Sequence, residues 1–495
     1  MQETMPMFLE EILKKKQAHK IRHNKRSVPL NVPALEFPLI IAEIKRASPS
    51  AGDIGSINRP IHLAKTYLQG GANVISVLCE QDYFKGDLED LKAIKTAHHN
   101  ACILRKDFIT KIAQVQESYD FGADMVLLIA AVFMQDKNGG FNRLLELYQA
   151  CLKLNLTPLV EVHNALEVEF IAPLNAVFIG VNARNLHNFK IDKIKAYWLL
   201  EEIRCKNPKA KVIFESSLKC SFDGFVVGNV GFDGILCGSY FVQSENPAFA
   251  VHSLSSSLKC GKNSPNAFYQ NVFKLLESKL GFIKICGITN VEDALMCAEA
   301  LCELAQKGVQ KVGGLGFILE PKSPRFVELK VLKEILQALQ NYPNLLKIAV
   351  IKDSKEQMEI ALKLYKEGNI DALQLHGVKS QIFAGVDLKE ANFAFYEAWN
   401  IEKKEDLKEF VSPFVLLDSK SVLGGGSGKC IDVGVLESLE MQDLCVAGGV
   451  GAENIDILKQ MGAKMLDINS SIEKCVGKKD KDTLQTLIIK LKSYL

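Results

Sequence analysis

ACILRKDFITKIAQVQESYDFGADMVLLIA, residues 101–130, holds the pattern that decides the fold. An apolar run (101–108) gives way to an amphipathic, charged stretch, and a second apolar run (123–130) follows. Runs this short and this uniformly apolar suit parallel strands buried on both faces, with crossover helices between them. The alternation extends outward in both directions. Upstream lie LIIAEIK (39–45) and NVISVLCE (73–80). Downstream come PLVEVH (158–163), AVFIGVN (176–182), KVIFES (211–216) and GILCGS (234–239). After an interruption the series resumes with FIKICGIT (282–289), GGLGFIL (313–319), LLKIAVIK (345–352) and ALQLHG (372–377). It ends with FAFYEAW (393–399), FVLLDS (414–419), LCVAGG (444–449) and MLDINSS (465–471). Segments such as 142–154 and 355–367 carry helical periodicity.

Eight strands and then eight more, with helices between, predict an α/β protein of two tandem (β/α)8 TIM barrels. Each half has roughly the 250 residues that architecture uses. Two doubly wound domains compete, but those usually show about five or six strands each. The expected division is a first barrel over 1–255, a linker over 256–280 and a second barrel over 281–495. HSLSSSLKCGKNSPN (252–266) has linker composition. The helical stretch 267–280 either closes the first barrel or leads into the second. Residues 218–233 carry three glycines where a helix is due, and 6–25 reads as one amphipathic helix, a barrel lid or a surface arm.

Composition excludes several classes. The 495 residues include 60 Lys plus Arg and 58 Asp plus Glu, a net charge of +2, so no nucleic-acid footprint is present. With 48% hydrophobic and 24% charged residues the chain is ordinary globular material. No run spans a bilayer and the N-terminus lacks a secretory h-region, so a cytoplasmic protein without a membrane partner is expected. The thirteen cysteines are scattered without a CxxC pair. They suggest neither a metal site nor a disulfide framework.

In such barrels chemistry sits at the C-terminal ends of the strands, so polar residues there are the candidates. The first half offers Glu43 and Lys45 on one side of a strand, then Lys106, Glu161, Asn182, Arg184, Glu215, Ser216, Gly238 and Ser239. Each alone reads as a solvated strand end or a structural ion pair. Together, three glutamates and two lysines at one mouth are the arrangement that drives acid and base pKa values apart. The second half offers Cys286, an inert core thiol if taken alone, and Asp418, which could pair with it as base and acid. LGGGSGK (423–429) is not a P-loop, because GxxxxGK[ST] would need glycine at Leu423 and Ser or Thr at Cys430. A loop over substrate fits its place after a buried strand. AGGVGAEN (447–454) and DINSSIE (467–473) sit where barrels of this type bind phosphate.

IAEIKRASPS (41–50), LRKDFI (104–109), LVEVH (159–163), GVNARNL (180–186), IFESS (213–217) and GILCGS (234–239) resemble the signature of indole-3-glycerol-phosphate synthase. The resemblance covers nearly all of residues 1–250. It implies that Lys106 is a general acid and Glu161 a general base or relay, with Glu43, Lys45 and Glu215 beside them in the catalytic set. It further implies that Lys45 and Arg184 meet the substrate carboxylate, that Phe108 walls the anthranilate ring, and that Asn182 and Ser216 line the pocket. Ser48, Gly238 and Ser239 would take the phosphate. The chain departs from the family at Ser217, where glycine is usual.

KICGIT (284–289), PKSPR (321–325), LQLHG (373–377), LLDSK (416–420), GGSGK (425–429), AGGVGAEN and DINSSIE resemble phosphoribosylanthranilate isomerase over residues 281–495. The implied roles are Cys286 as general base, Asp418 as general acid and Arg325 for the anthranilate carboxylate. Gln374 and His376 would line the pocket, although His376 reads equally as a structural histidine. Gly426 would lie in the covering loop, and Gly448, Gly449, Asn469 and Ser470 at the phosphate. Residues 290–316 run longer than the family pattern. Together the halves resemble the fused bifunctional enzymes of tryptophan biosynthesis, acting on anthranilate-derived sugar phosphates with neither metal nor redox cofactor. A monomer is compatible with this. Barrels acting on other sugar phosphates, or a sensor with one inactive barrel, are the alternatives.

Overall fold

The computed structural model describes all residues except 1–6, 19, 34, 49–51, 55, 56, 58, 137, 138, 186–189, 307, 308, 407–409, 420–430, 432, 438 and 440–443; for 7, 8, 17, 48 and 433 it describes the backbone alone. The chain divides into two compact units, Met1–Lys262 and Asn263–Leu495. Each contains a closed barrel of eight parallel strands.

In the first unit the strands are β1 (Leu39–Ile44), β2 (Val74–Leu78), β3 (Cys102–Lys106), β4 (Met125–Ile129), β5 (Thr157–Val162), β6 (Phe178–Asn182), β7 (Lys211–Glu215) and β8 (Gly234–Cys237). Closure comes from β1, which pairs Leu39 with Gly234 on one side and Ile41 with Val74 on the other. In the second unit they are β9 (Phe282–Ile285), β10 (Gly313–Ile318), β11 (Leu345–Lys352), β12 (Ala372–His376), β13 (Phe395–Ile401), β14 (Val415–Ser419), β15 (Leu444–Val446) and β16 (Met465–Ile468). Phe282 opposite Met465 closes that ring. The runs read as strands are strands because both of their faces are covered. Every residue of β1, β2, β4 and β9 is buried.

Three expectations change. The stretch 256–280 is not a linker. It holds the end of one helix, Pro247–Lys262, and all of another, Phe268–Glu277. Leu254 and Leu258 bury the first in the N-terminal unit. In the second helix Tyr269 donates its hydroxyl to Phe395 O at 2.6 Å, tying it to β13. The glycine-rich stretch is a helix after all, Ser221–Val230, with every residue buried. Glycine costs a helix about 1 kcal/mol per residue, but here it permits close approach. A Cβ on Gly224 would lie 2.7 Å from Leu254 O, and one on Gly228 or Gly261 would collide with the facing helix backbone. Finally, the N-terminal helix is Met7–Gln17, shorter than 6–25. Beyond it, Arg22 and Arg26 turn to acceptors on the barrel, the Arg26 guanidinium reaching Asp124 Oδ1 at 2.7 Å. Within 290–316 the chain forms the helix Val291–Cys302 and enters β10 at Gly313.

Candidate active sites

The register of the first barrel brings the predicted polar residues to one rim. Glu161 lies opposite Ile129 and Gly180, and Asn182 opposite Glu215. A pocket of about 130 Å3 is lined by Glu43, Lys45, Lys106, Phe108, Glu161, Asn182, Arg184, Glu215, Ser216, Gly238 and Ser239. Of the first-half candidates only Ser48 is outside this set. Its backbone pairs with Gly52 in a short antiparallel ladder.

Lys106 is the centre. Its Nζ is 2.7 Å from Glu161 Oε2 and 2.8 Å from Glu215 Oε2. Gly180 makes this possible, because a Cβ there would collide with the Glu215 carboxylate. Burial disfavours the Lys106 ammonium, yet the carboxylates of Glu161, Glu215 and Glu43 raise its pKa. Glu161 is held well below the usual carboxylate range. Burial opposes this, but Lys106 and His163 outweigh it. Glu215 goes the other way, pushed up to about 8 by burial and by the Glu161 charge, although Lys106 pulls against both. Two carboxyl groups on one lysine are thus split into an ionised and a protonated member.

Around them, Lys45 pairs with Glu43 at 2.8 Å, and Ser216 Oγ donates to Asn182 Oδ1 at 2.8 Å. Glu43 Oε2 and Ser217 Oγ are buried without a hydrogen-bond partner among the described residues. Ser216 and Ser217 have φ of 73° and 62°, the left-handed region that glycine tolerates best. The turn's geometry would therefore suit glycine at position 217. Gly238 precedes a one-turn helix beginning at Ser239.

The second site is organised from below. Lys284 Nζ, on β9, donates to Asp467 Oδ2 at 2.6 Å and to Gln374 Oε1 at 2.7 Å. Tyr396 OH donates to the same Gln374 oxygen at 2.7 Å, and Gln374 Nε2 is 2.5 Å from His376 Nε2. Gln374, 1% exposed, therefore supports Lys284. His376 is driven down to about 3 by burial and by Lys284 and Lys352, so its ring is neutral.

Cys286 follows β9 directly above Lys284. A Cβ on Gly316 would lie 2.7 Å from Cys286 Sγ and 3.0 Å from Lys284 Nζ, so Gly316 keeps that space for them. Burial pushes the thiol up and the Lys284 charge pulls it partly back. Asp418, on β14, is raised to about 6 by burial and by Asp467.

Arg325 is paired within the protein. Its Nε and a terminal nitrogen grip Glu473 at 2.8 and 2.7 Å, so a substrate carboxylate would have to share the guanidinium. Gly448 and Gly449 have φ of 78° and 61°. Asn469 holds Lys479 Nζ through its side-chain oxygen at 3.0 Å, beside Ser470, which opens a 3-10 turn. Gly426 lies outside the described residues.

Sequence reasoning passed over Lys284, Asp467, His163 and Glu473. For three of them a signal existed. Lys284 and Asp467 are charged residues inside apolar strands, and Lys284 and His163 stand two residues from Cys286 and Glu161, on the same side of an extended chain.

These features define a class: paired parallel barrels with buried acid–base groups at their strand ends, beside turns able to hold an anion. Comparison with known proteins narrows it. Residues 7–254 match the family of indole-3-glycerol phosphate synthase, and residues 283–490 match N-(5'-phosphoribosyl)anthranilate isomerase. The chain belongs to the indole-3-glycerol phosphate synthase family and carries a phosphoribosylanthranilate isomerase domain behind that part. It is 29% identical to the tryptophan biosynthesis protein TrpCF of Helicobacter pylori (strain ATCC 700392 / 26695), over 99% of this chain and 100% of that one. It is 39% identical to the indole-3-glycerol phosphate synthase of Exiguobacterium sibiricum, over 44% of this chain and 80% of that one. To the multifunctional tryptophan biosynthesis protein of Phycomyces blakesleeanus it is 28% identical over 92% of its length, and it spans 63% of that longer protein. Among the described residues no helix is long and apolar enough to cross a membrane.

Proposed function

We propose that this chain is a bifunctional enzyme catalysing two successive steps of tryptophan biosynthesis. The second barrel isomerises N-(5-phosphoribosyl)anthranilate to 1-(2-carboxyphenylamino)-1-deoxyribulose 5-phosphate. The first barrel closes that product to indole-3-glycerol phosphate, releasing carbon dioxide and water. The observation that carries the reading is Lys106 held between Glu161 and Glu215.

Ring closure asks for a proton on the substrate carbonyl as the aromatic carbon attacks, and Lys106 stays protonated to give it. Loss of carbon dioxide restores the benzene ring, and the new hydroxyl then leaves as water. Glu161, ionised, accepts the methylene proton whose loss completes the indole double bond; Glu215, protonated, is placed to return a proton to Lys106. Lys45 and Arg184 suit the carboxylate that is lost, Phe108 the aromatic ring, and Ser216, Gly238 and Ser239 the phosphate. In the isomerase, Asp418 protonates the furanose oxygen, which opens the ring to a Schiff base. Cys286 then removes the adjacent carbon-bound proton, and the resulting enolamine becomes the ketone. A biosynthetic role fits the cytoplasm.

The test is to assay the full chain with each substrate. Lys106→Met should abolish ring closure alone, and Cys286→Ser or Asp418→Asn isomerisation alone. Loss of both activities from either kind of variant overturns the two-site assignment. Binding without turnover of either substrate would favour a sensor, and turnover of other sugar phosphates alone would favour a different pathway.

A further inference from the structure

Beneath Glu161 lies an ionisable group that the reaction as written does not use. His163 stands two residues further along the chain, its side chain 6% exposed. Its Nδ1 is 3.0 Å from Glu167 Oε2, and the same oxygen accepts the His163 backbone N–H at 2.8 Å. Asn164 Nδ2 donates to the other Glu167 oxygen at 2.7 Å. Glu167 is thus an acceptor on both oxygens, and Nδ1 must carry a hydrogen towards it. The remaining ring nitrogen, Nε2, is 3.3 Å from Glu161 Oε1. That nitrogen is buried and makes no hydrogen bond among the described residues; in a neutral ring the contact would have no charge to hold it. With a second proton the same contact becomes an ion pair.

We infer that His163 is a positioning residue for the first barrel: wedged between Glu161 and Glu167 as an imidazolium, it keeps Glu161 ionised and leaves the shared proton on Glu215. The inference rests on reading this barrel as an acid–base synthase. Glu161 meets two cations, Lys106 and His163, whereas Glu215 meets Lys106 alone, with Oε1 lacking a donor among the described residues. Glu43 is the other charged group that bears on Lys106, and it acts on that lysine rather than on the imidazole. His163 therefore breaks the near-equivalence of two carboxyl groups that grip one ammonium. In keeping with this, Glu167 and Glu161 push the imidazole up to about 10 against the effect of burial.

Two measurements on the full chain test this. The first is the pH profile of kcat/KM for ring closure in His163→Gln, which retains a donor but no charge. Without the cation the Glu161 pKa rises, so the acid limb should move to higher pH by about one unit, a roughly tenfold loss on that limb with little change above it. His163→Lys should restore part of the limb. An equal loss at every pH, or an unmoved limb, overturns the inference. The second is the nitrogen NMR signature of the nine histidines. One ring should remain doubly protonated at about pH 8.5, far above the ordinary histidine value, and its signal should vanish in His163→Gln or His163→Asn. If every histidine is neutral there, the inference fails even if ring closure depends on Lys106 and Glu161. If the signal is present but Lys106→Met leaves ring closure intact, the functional reading fails and the ion pair stands.

Discussion

Each barrel buries a lysine near the C-terminal end of a strand, and the two lysines do opposite work. Lys106 is the last residue of β3, with its side chain 14% exposed between two carboxylates. Lys284 lies one residue before the end of β9, 1% exposed, between Asp467 and Gln374. The first lines the pocket, and in the proposed reaction its charge is the acid. The second is fully buried, and its charge lowers the Cys286 thiol against the effect of burial and holds Asp467. In the proposed function, depth along a strand separates a reacting ammonium from a scaffolding one.

Exchanging each lysine for methionine is the largest test of that contrast. Lys106→Met should lower ring closure by about 10^2–10^4-fold, the range for a lost general acid, and leave isomerisation unchanged. Lys284→Met strands Asp467 unpaired in the interior and should cost the second unit about 3 kcal/mol, read by chemical denaturation, together with isomerase activity. A fully stable Lys284→Met chain would remove the scaffolding role.

A smaller effect should separate two glycines. Gly316→Ala forces a methyl against Cys286 and Lys284, where little can shift, and should cost about 1–3 kcal/mol of stability. Gly180→Ala meets only the tip of Glu215, which can swing away. It should lower ring closure with little change in melting, because the carboxyl leaves Lys106.

The pH dependence of stability should differ between the units. Glu215 is raised to about 8 and Asp418 to about 6. For a raised carboxyl the unfolded chain gives up its proton first. Its contribution is complete below the ordinary carboxylate value and is lost as pH rises through the folded one. The first unit should therefore keep losing stability to about pH 8 through Glu215 and on to about pH 10 through His163, whereas the Asp418 contribution is spent by about pH 6. Glu215→Gln should flatten the first unit's decline, as seen in melting temperatures across pH. The smallest expected effect is Ser217→Gly, a gain of about 1 kcal/mol from relieving φ of 62°.

The sequence by itself determined the sixteen barrel strands, because a strand buried on both faces must be a short apolar run and the run survives in the text of the chain. It also marked most of the rim, since polar residues that end such runs have few other reasons to be there. It left the helix at 221–230 poorly marked, because its glycines argue against a helix until a second backbone is packed upon them. Nor could it say which carboxyl holds the proton or what Arg325 grips. Glu161 and Glu215 are 55 and 109 residues from Lys106, Glu473 is 148 from Arg325, and Asp467 is 183 from Lys284. Local patterning records burial and backbone pairing, which each segment carries with it. Charge state depends on which distant groups arrive within a few ångströms, and only the closed barrels decide that.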